Sequence, residues 1–217
     1  MIFLGGGGSE ADEASLWDEV FVEGRRLTVW PHAMPRDRWP QVEQWFRAAL
    51  SPRGTFVIDV GDAGLQQTDV LVVPGGNTYA LLAATRDMLP ALRPFLERGG
   101  HIYGGSAGAI LLGADIDIAG ILDLNDLGLT ETAGADLLTG HVVYPHFTAD
   151  QAETAARWAA DHDVAVLAIP ETAGVIIDGG KARNAGPSPV RVFTPSGNRT
   201  YSAGREWPLW SVNSAGS

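Results

Sequence analysis

The 217-residue chain contains no cysteine and a single lysine, Lys181. Without a thiol there is no disulfide, no thiolate zinc site and no cysteine nucleophile. Acidic residues outnumber basic ones 26 to 15, and the net charge is −11. No basic run or aromatic–basic interleaving occurs, which argues against a nucleic-acid partner. The acidity reads as solubility. Long apolar runs are also missing. Nothing approaches the ~18 residues of a membrane span. The segment Met1-Ile2-Phe3-Leu4-Gly5 has no basic stretch and four apolar residues before glycine, unlike a signal peptide. A cytoplasmic protein without a membrane partner is expected. No HExxH or clustered ligand pattern is present, so neither metal nor cofactor is expected.

Hydrophobic residues make up 45% of the chain and charged residues 19%, ordinary values for a globular protein. One domain spanning 1–217 is expected, with no repeat or linker dividing it. Apolar segments of strand length alternate with helix-length stretches. Strands are expected at Met1–Leu4, Leu27–Trp30, Thr55–Asp59, Val70–Val73, His101–Tyr103, Val142–Tyr144, Val164–Ile169 and Gly174–Ile177. Helices are expected at about 12–22, 38–50, 77–86, 88–98, 107–113 and 149–162. Several strands are unbroken Val/Ile/Leu runs, as when both faces of a sheet are covered. The alternation predicts an α/β fold with a largely parallel sheet. After Val175 the pattern turns to short strands around Asp178-Gly179-Gly180 and Pro195-Ser196-Gly197-Asn198, a C-terminal β-hairpin region.

The most informative stretch is Gly104-Gly105-Ser106-Ala107-Gly108. It follows a short strand and precedes the helix-compatible run Ala109-Ile110-Leu111-Leu112. Strand, glycine-rich corner and helix, with serine at the apex, form the G-x-S-x-G pattern of a nucleophile elbow. The turn presents the hydroxyl at a helix start, where free N–H groups favour a developing oxyanion.

In open parallel sheets, ligands bind beyond the carboxyl ends of the strands. Ser106 follows one expected strand, and Gly75-Gly76-Asn77-Thr78 follows another. The N–H groups of Gly76 and Ala107 are the two candidate halves of an oxyanion hole, although a glycine pair also serves as a plain turn. Asn77 or Thr78 can cap the next helix, and Asn77 is a candidate substrate contact. Among the five histidines, His101 and His141 begin strands and fall on the opposite edge. His32 lies in a proline-flanked loop, and His162 near a helix end between two aspartates. His146 follows Val142–Tyr144 and Pro145, on the expected edge, and is the best general base. Glu171, after Val164–Ile169 and Pro170, passes the same filter as the orienting carboxylate. Asp123 is the reserve; Asp115, Asp117 and Asp126 share its acidic segment.

In this order Gly75-Gly76-Asn77-Thr78-Tyr79-Ala80-Leu81-Leu82, Gly105-Ser106-Ala107-Gly108-Ala109, Pro145-His146-Phe147-Thr148 and Ile169-Pro170-Glu171 resemble the dipeptidase E family of serine peptidases, which includes cyanophycinases. The resemblance spans residues 55 to 195. It implies a three-layer αβα sandwich with a mostly parallel central sheet, like that of class I glutamine amidotransferases, with serine at the position of their cysteine. It also implies a Ser106–His146–Glu171 triad, oxyanion N–H groups from Gly76 and Ala107, and short peptides as substrates. The order Ser…His…Glu differs from the Ser…Asp…His order of α/β-hydrolases. In dipeptidase E, the loop after the histidine carries an arginine held to read an N-terminal aspartate. Here Thr148 passes into a helix, and the first arginine is Arg157. Specificity broader than Asp-X is therefore expected, because carboxylate recognition relies on paired donors.

Two alternatives remain at this stage: a non-catalytic binding or regulatory domain on the same scaffold, and a cyanophycinase-like exopeptidase. Gly5-Gly6-Gly7-Gly8 fails the dinucleotide pattern, because Glu10 stands where the last glycine belongs. Those glycines are expected to shape the pocket floor. Trp207 and Trp210 are expected to pack on the domain or on a second copy in a homodimer.

Overall fold

A computed structural model describes residues 1–209 of the chain. In chain order the elements are β1 (Ile2–Gly5), α1 (Ala14–Val20), β2 (Arg26–Val29), α2 (Trp39–Leu50), β3 (Val57–Val60), β4 (Val70–Val73), α3 (Thr78–Thr85), α4 (Leu92–Glu97) and β5 (His101–Gly105). They continue with α5 (Ala107–Leu111), β6 (His141–Tyr144), α6 (Ala152–His162), β7 (Ala165–Ala168), β8 (Gly174–Asp178), β9 (Lys181–Asn184), β10 (Val190–Thr194), β11 (Gly197–Tyr201) and β12 (Glu206–Pro208). The helix expected over 88–98 is divided. Residues Arg86–Ala91 wind as a 3-10 helix around Pro90, which has no N–H to donate, and α4 follows.

The large sheet has the order β12-β9-β8-β1-β5-β4-β2-β3. Strands β1, β5, β4, β2 and β3 run parallel, and β8, β9 and β12 extend the sheet antiparallel. The unbroken apolar runs serve two cores at once. In β4, Val70 and Val72 face α1 and α2 with Trp17, Phe46 and Leu50. Leu71 and Val73 face α3, α4 and α5 with Leu81, Phe95 and Ile110. Period-2 side-chain alternation, with a helical layer on each face, makes both halves of the run apolar. The fold is thus α/β, with a mostly parallel central sheet flanked by helices.

One expectation is corrected. Strands β6 and β7 do not join the central sheet. They pair parallel with each other in a second, four-stranded sheet of order β11-β10-β7-β6. A long excursion separates α5 from β6 and delivers the chain away from the first sheet; segment length alone does not encode a strand's partner. The C-terminal hairpin region divides in the same way. The β8–β9 hairpin, turned at Gly179-Gly180, extends the first sheet, and the β10–β11 hairpin extends the second. The apolar core that contains α5 also contains Val142, Val143, Val166 and Leu167, so the two sheets share one interior. Trp207 is buried in β12 and stacks on Tyr201 at 4.1 Å between ring centroids. Trp210 lies outside the described residues. Among the described residues no helix is long and apolar enough to cross a membrane.

Candidate active site

The elbow is built by close backbone approach. Gly108 packs against the Val73 carbonyl so tightly that a β-carbon would overlap it. Strand β5 therefore turns into α5 at a point where only hydrogen fits. Ser106, at the apex, has φ 51° and ψ −113°, a conformation that L-residues avoid. Non-glycine residues held in such regions cluster at functional sites. The Ser106 hydroxyl donates to Nε2 of His146 over 2.8 Å.

His146 leaves the end of β6, also at positive φ, 53°. Its backbone N–H donates to the Gly6 carbonyl at 2.8 Å, and its ring lies against Gly7. Its Nδ1–H donates to Oε1 of Glu171 at 2.7 Å. A carboxylate can only accept, so the proton sits on Nδ1 and Nε2 is free to take one. The His146 side chain is 33% exposed and that of Glu171 57%, so water screens the carboxylate's charge on the imidazole.

On the other side of Ser106 the chain leaves β4 through Gly75 and Gly76. A β-carbon on Gly75 would stand 3.2 Å from that of Ser106, which places this turn directly beside the hydroxyl. Neither the Gly76 N–H nor the Ala107 N–H has a protein acceptor among the described residues. Asn77 caps α3, its side-chain oxygen accepting from the Ala80 N–H at 2.9 Å. Its amide group donates to the Leu124 carbonyl at 3.0 Å. The Asp123 carboxylate accepts from the Thr78 N–H at 2.9 Å and from the Thr78 hydroxyl at 2.6 Å. Of the two candidate acids, Glu171 is the one that meets His146, while Asp123 clamps the start of α3.

The middle of the chain, residues 44–185, matches peptidase family S51. The chain belongs to peptidase family S51. Family relatives include peptidase E of Pasteurella multocida (strain Pm70), 27% identical over 200 residues that cover 82% of this chain and 83% of the relative. Peptidase E of Shigella flexneri serotype 5b (strain 8401) is 26% identical over 192 residues, covering 79% and 82%. Two solved structures share the fold. One is a peptidase from an acI-B1 Actinobacterium, with TM-score 0.66, 17% identity, and coverage of 95% of this chain and 96% of that one. The other is a protein of Listeria monocytogenes EGD-e provisionally assigned as peptidase E, with TM-score 0.69, 20% identity, and coverage of 86% and 98%. The present S51 member is accordingly a serine-type peptidase.

The remaining histidines of this S51 peptidase are occupied elsewhere. His101 meets the N-terminal amine, and His141 and His162 donate to the Leu138 and Trp158 carbonyls. His32 does lie beyond the end of β2, but it is buried against Trp30 and Trp39 and faces Asp62 at 3.5 Å. Burial lowers its pKa more than Asp62 raises it. Arg157 is held inside α6 by Glu153 at 2.7 Å. Two residues near the site escaped the sequence reading. Arg191 of β10 sits 5.9 Å above the ring of Phe147, the neighbour of His146, and donates to Asn198. Its placement depends on β10 pairing with β7, for which no local signal exists. Glu13, in the polar stretch that leads into α1, is buried.

Proposed function

We propose that this family S51 peptidase hydrolyses dipeptides or other short peptides through an acyl-enzyme on Ser106. The observation that carries this reading is the unbroken relay from the Ser106 hydroxyl to His146 Nε2 and from Nδ1 to Glu171. His146 takes the hydroxyl proton as Oγ bonds to the scissile carbonyl carbon, then gives it to the leaving nitrogen as the C–N bond breaks. Water repeats the cycle on the ester: its proton goes to Nε2, its oxygen to the acyl carbon, and the proton returns to Oγ as the acid departs. Glu171 orients the ring and stabilises the imidazolium. The N–H groups of Gly76 and Ala107 receive the oxyanion. The sequence calls on no metal or cofactor.

The reading extends to specificity broader than Asp-X. Arg157, the only arginine between Thr148 and Glu171, lies inside α6 and pairs with Glu153 on its exposed face. Burial and then the charges of Asp117, Asp123 and Asp115 raise the pKa of Tyr79, one residue beyond the Asp123 clamp, so this flank of the site is negative. Such a field disfavours an acidic substrate side chain.

The test is reaction with a fluorophosphonate, whose fluoride is displaced by an activated serine, alongside hydrolysis of a dipeptide panel. Labelling at Ser106 and a loss of about 10⁶-fold in turnover on Ser106→Ala are expected. Turnover surviving in that variant would remove the assignment. A wild-type chain that neither labels nor hydrolyses would favour a non-catalytic binding domain.

A further inference from the structure

A carboxylate withdrawn from water costs several kcal/mol unless it is paired or well hydrogen-bonded. Glu13 is 3% exposed and has no cationic partner among the described residues. Three donors serve it instead. Oε1 accepts from the Gly7 N–H at 2.8 Å, and Oε2 from the Tyr103 hydroxyl at 2.6 Å and the Trp17 indole N–H at 3.2 Å. Two of these donors lead to the two reacting residues. Tyr103 lies in β5, three residues before Ser106. Gly7 lies on the loop after β1, against which the His146 ring packs.

That loop contacts both members of the pair. The Gly5 carbonyl accepts from the Ser106 N–H at 3.4 Å, and the Gly6 carbonyl from the His146 N–H at 2.8 Å. Gly7, at φ 93°, packs on the imidazole so closely that a β-carbon would stand 2.5 Å from Nε2. Ser106 and His146 leave different sheets, so their separation depends on whatever spans the gap. The Gly5–Gly7 loop spans it, and Glu13 holds the loop.

We propose that Glu13 is a positioning residue, tying β5 to the Gly5–Gly7 loop and thereby setting the Ser106–His146 distance. The proposal rests on Ser106 being the nucleophile. It explains why a carboxylate occupies an interior position among Trp17 and Tyr103, where an apolar side chain would pack at less cost. Misplacement by about 1 Å costs on the order of 100-fold in rate.

The test compares Glu13→Gln and Tyr103→Phe with wild type in the full chain, after thermal unfolding has established that each is folded at the assay temperature. Glu13→Gln is expected to slow fluorophosphonate labelling and kcat by about 10–100-fold with KM within about 2-fold, and Tyr103→Phe by about 3–10-fold. A purely structural role would lower the melting temperature and leave the kcat-to-KM split unmoved. A folded Glu13→Gln labelling at the wild-type rate overturns the proposal. If that variant does not fold, a wild-type rate in Tyr103→Phe overturns it instead. Nitrogen-15 spectra of the His146 ring separate this question from the nucleophile assignment. If wild type itself proves inert, a His146 spectrum broadened or shifted by Glu13→Gln sustains positioning, and an unchanged spectrum ends it.

Discussion

The hydroxyl of Ser106 and Nε2 of His146 stand 2.8 Å apart although β5 and β6, the strands that deliver them, belong to different sheets. A productive pair therefore requires two independent placements to agree. The third group, Glu171, meets the imidazole from the solvent side.

Replacing Glu171 and Asp123 separates orientation from support. Because the Glu171 carboxylate is 57% exposed and screened, Glu171→Gln is expected to lower kcat by about 100-fold, far less than loss of the nucleophile. Asp123→Asn keeps an acceptor at Thr78 but removes the charge at the start of α3, which costs about 1 kcal/mol in stability. Steady-state kinetics and urea unfolding of both variants check this. A larger kcat loss in Asp123→Asn would exchange the two roles.

Strain at the elbow predicts a trade of activity for stability. Ser106 holds φ 51° and ψ −113°, a region open to glycine but costly for any residue with a β-carbon. Ser106→Gly is expected to be inactive and about 1 kcal/mol more stable than Ser106→Ala. Denaturant midpoints at equal m-value measure the difference. Equal midpoints would show that the turn carries no strain.

The buried Glu13 carboxyl makes stability depend on pH. Burial raises its pKa more than its hydrogen bonds from Tyr103, Gly7 and Trp17 lower it. A raised carboxyl binds its proton more tightly when folded, so its contribution is greatest below the unfolded value of about 4.3 and is lost as pH rises through the folded pKa. Wild type should therefore lose stability relative to Glu13→Gln as pH rises above about 4.3, read from urea unfolding at each pH. Wild type gaining stability relative to Glu13→Gln as pH rises would contradict the burial argument.

Much of this arrangement was legible in the sequence. The strand β4 stands at Val70–Val73 as expected, because a four-residue β-branched and leucine run bounded by polar residues and Pro-Gly-Gly has few other fates. The elbow declares itself through glycines that no other residue can replace at that approach. The partition into two sheets was not legible, because Val142–Tyr144 and Val164–Ile169 carry hydrophobicity but no address. The edge rule for a single sheet points to His146 and Glu171, yet both follow strands of the second sheet, and His146 meets Ser106 beside the Gly5–Gly7 loop while Glu171 meets His146. Glu13 was hidden for a related reason. Ser9-Glu10-Ala11-Asp12-Glu13 is a polar stretch, and only the distant Tyr103 and nearby Trp17 make its last member an interior residue.

The division between sheets also makes the enzyme a gauge of its own assembly. Mild denaturant that lets the β6–β7 layer slip against the β1–β5 layer would separate nucleophile from base while each sheet keeps its internal ladder. Hydrolysis should then fade at urea concentrations where far-ultraviolet ellipticity is still native, so that inactivation runs ahead of melting.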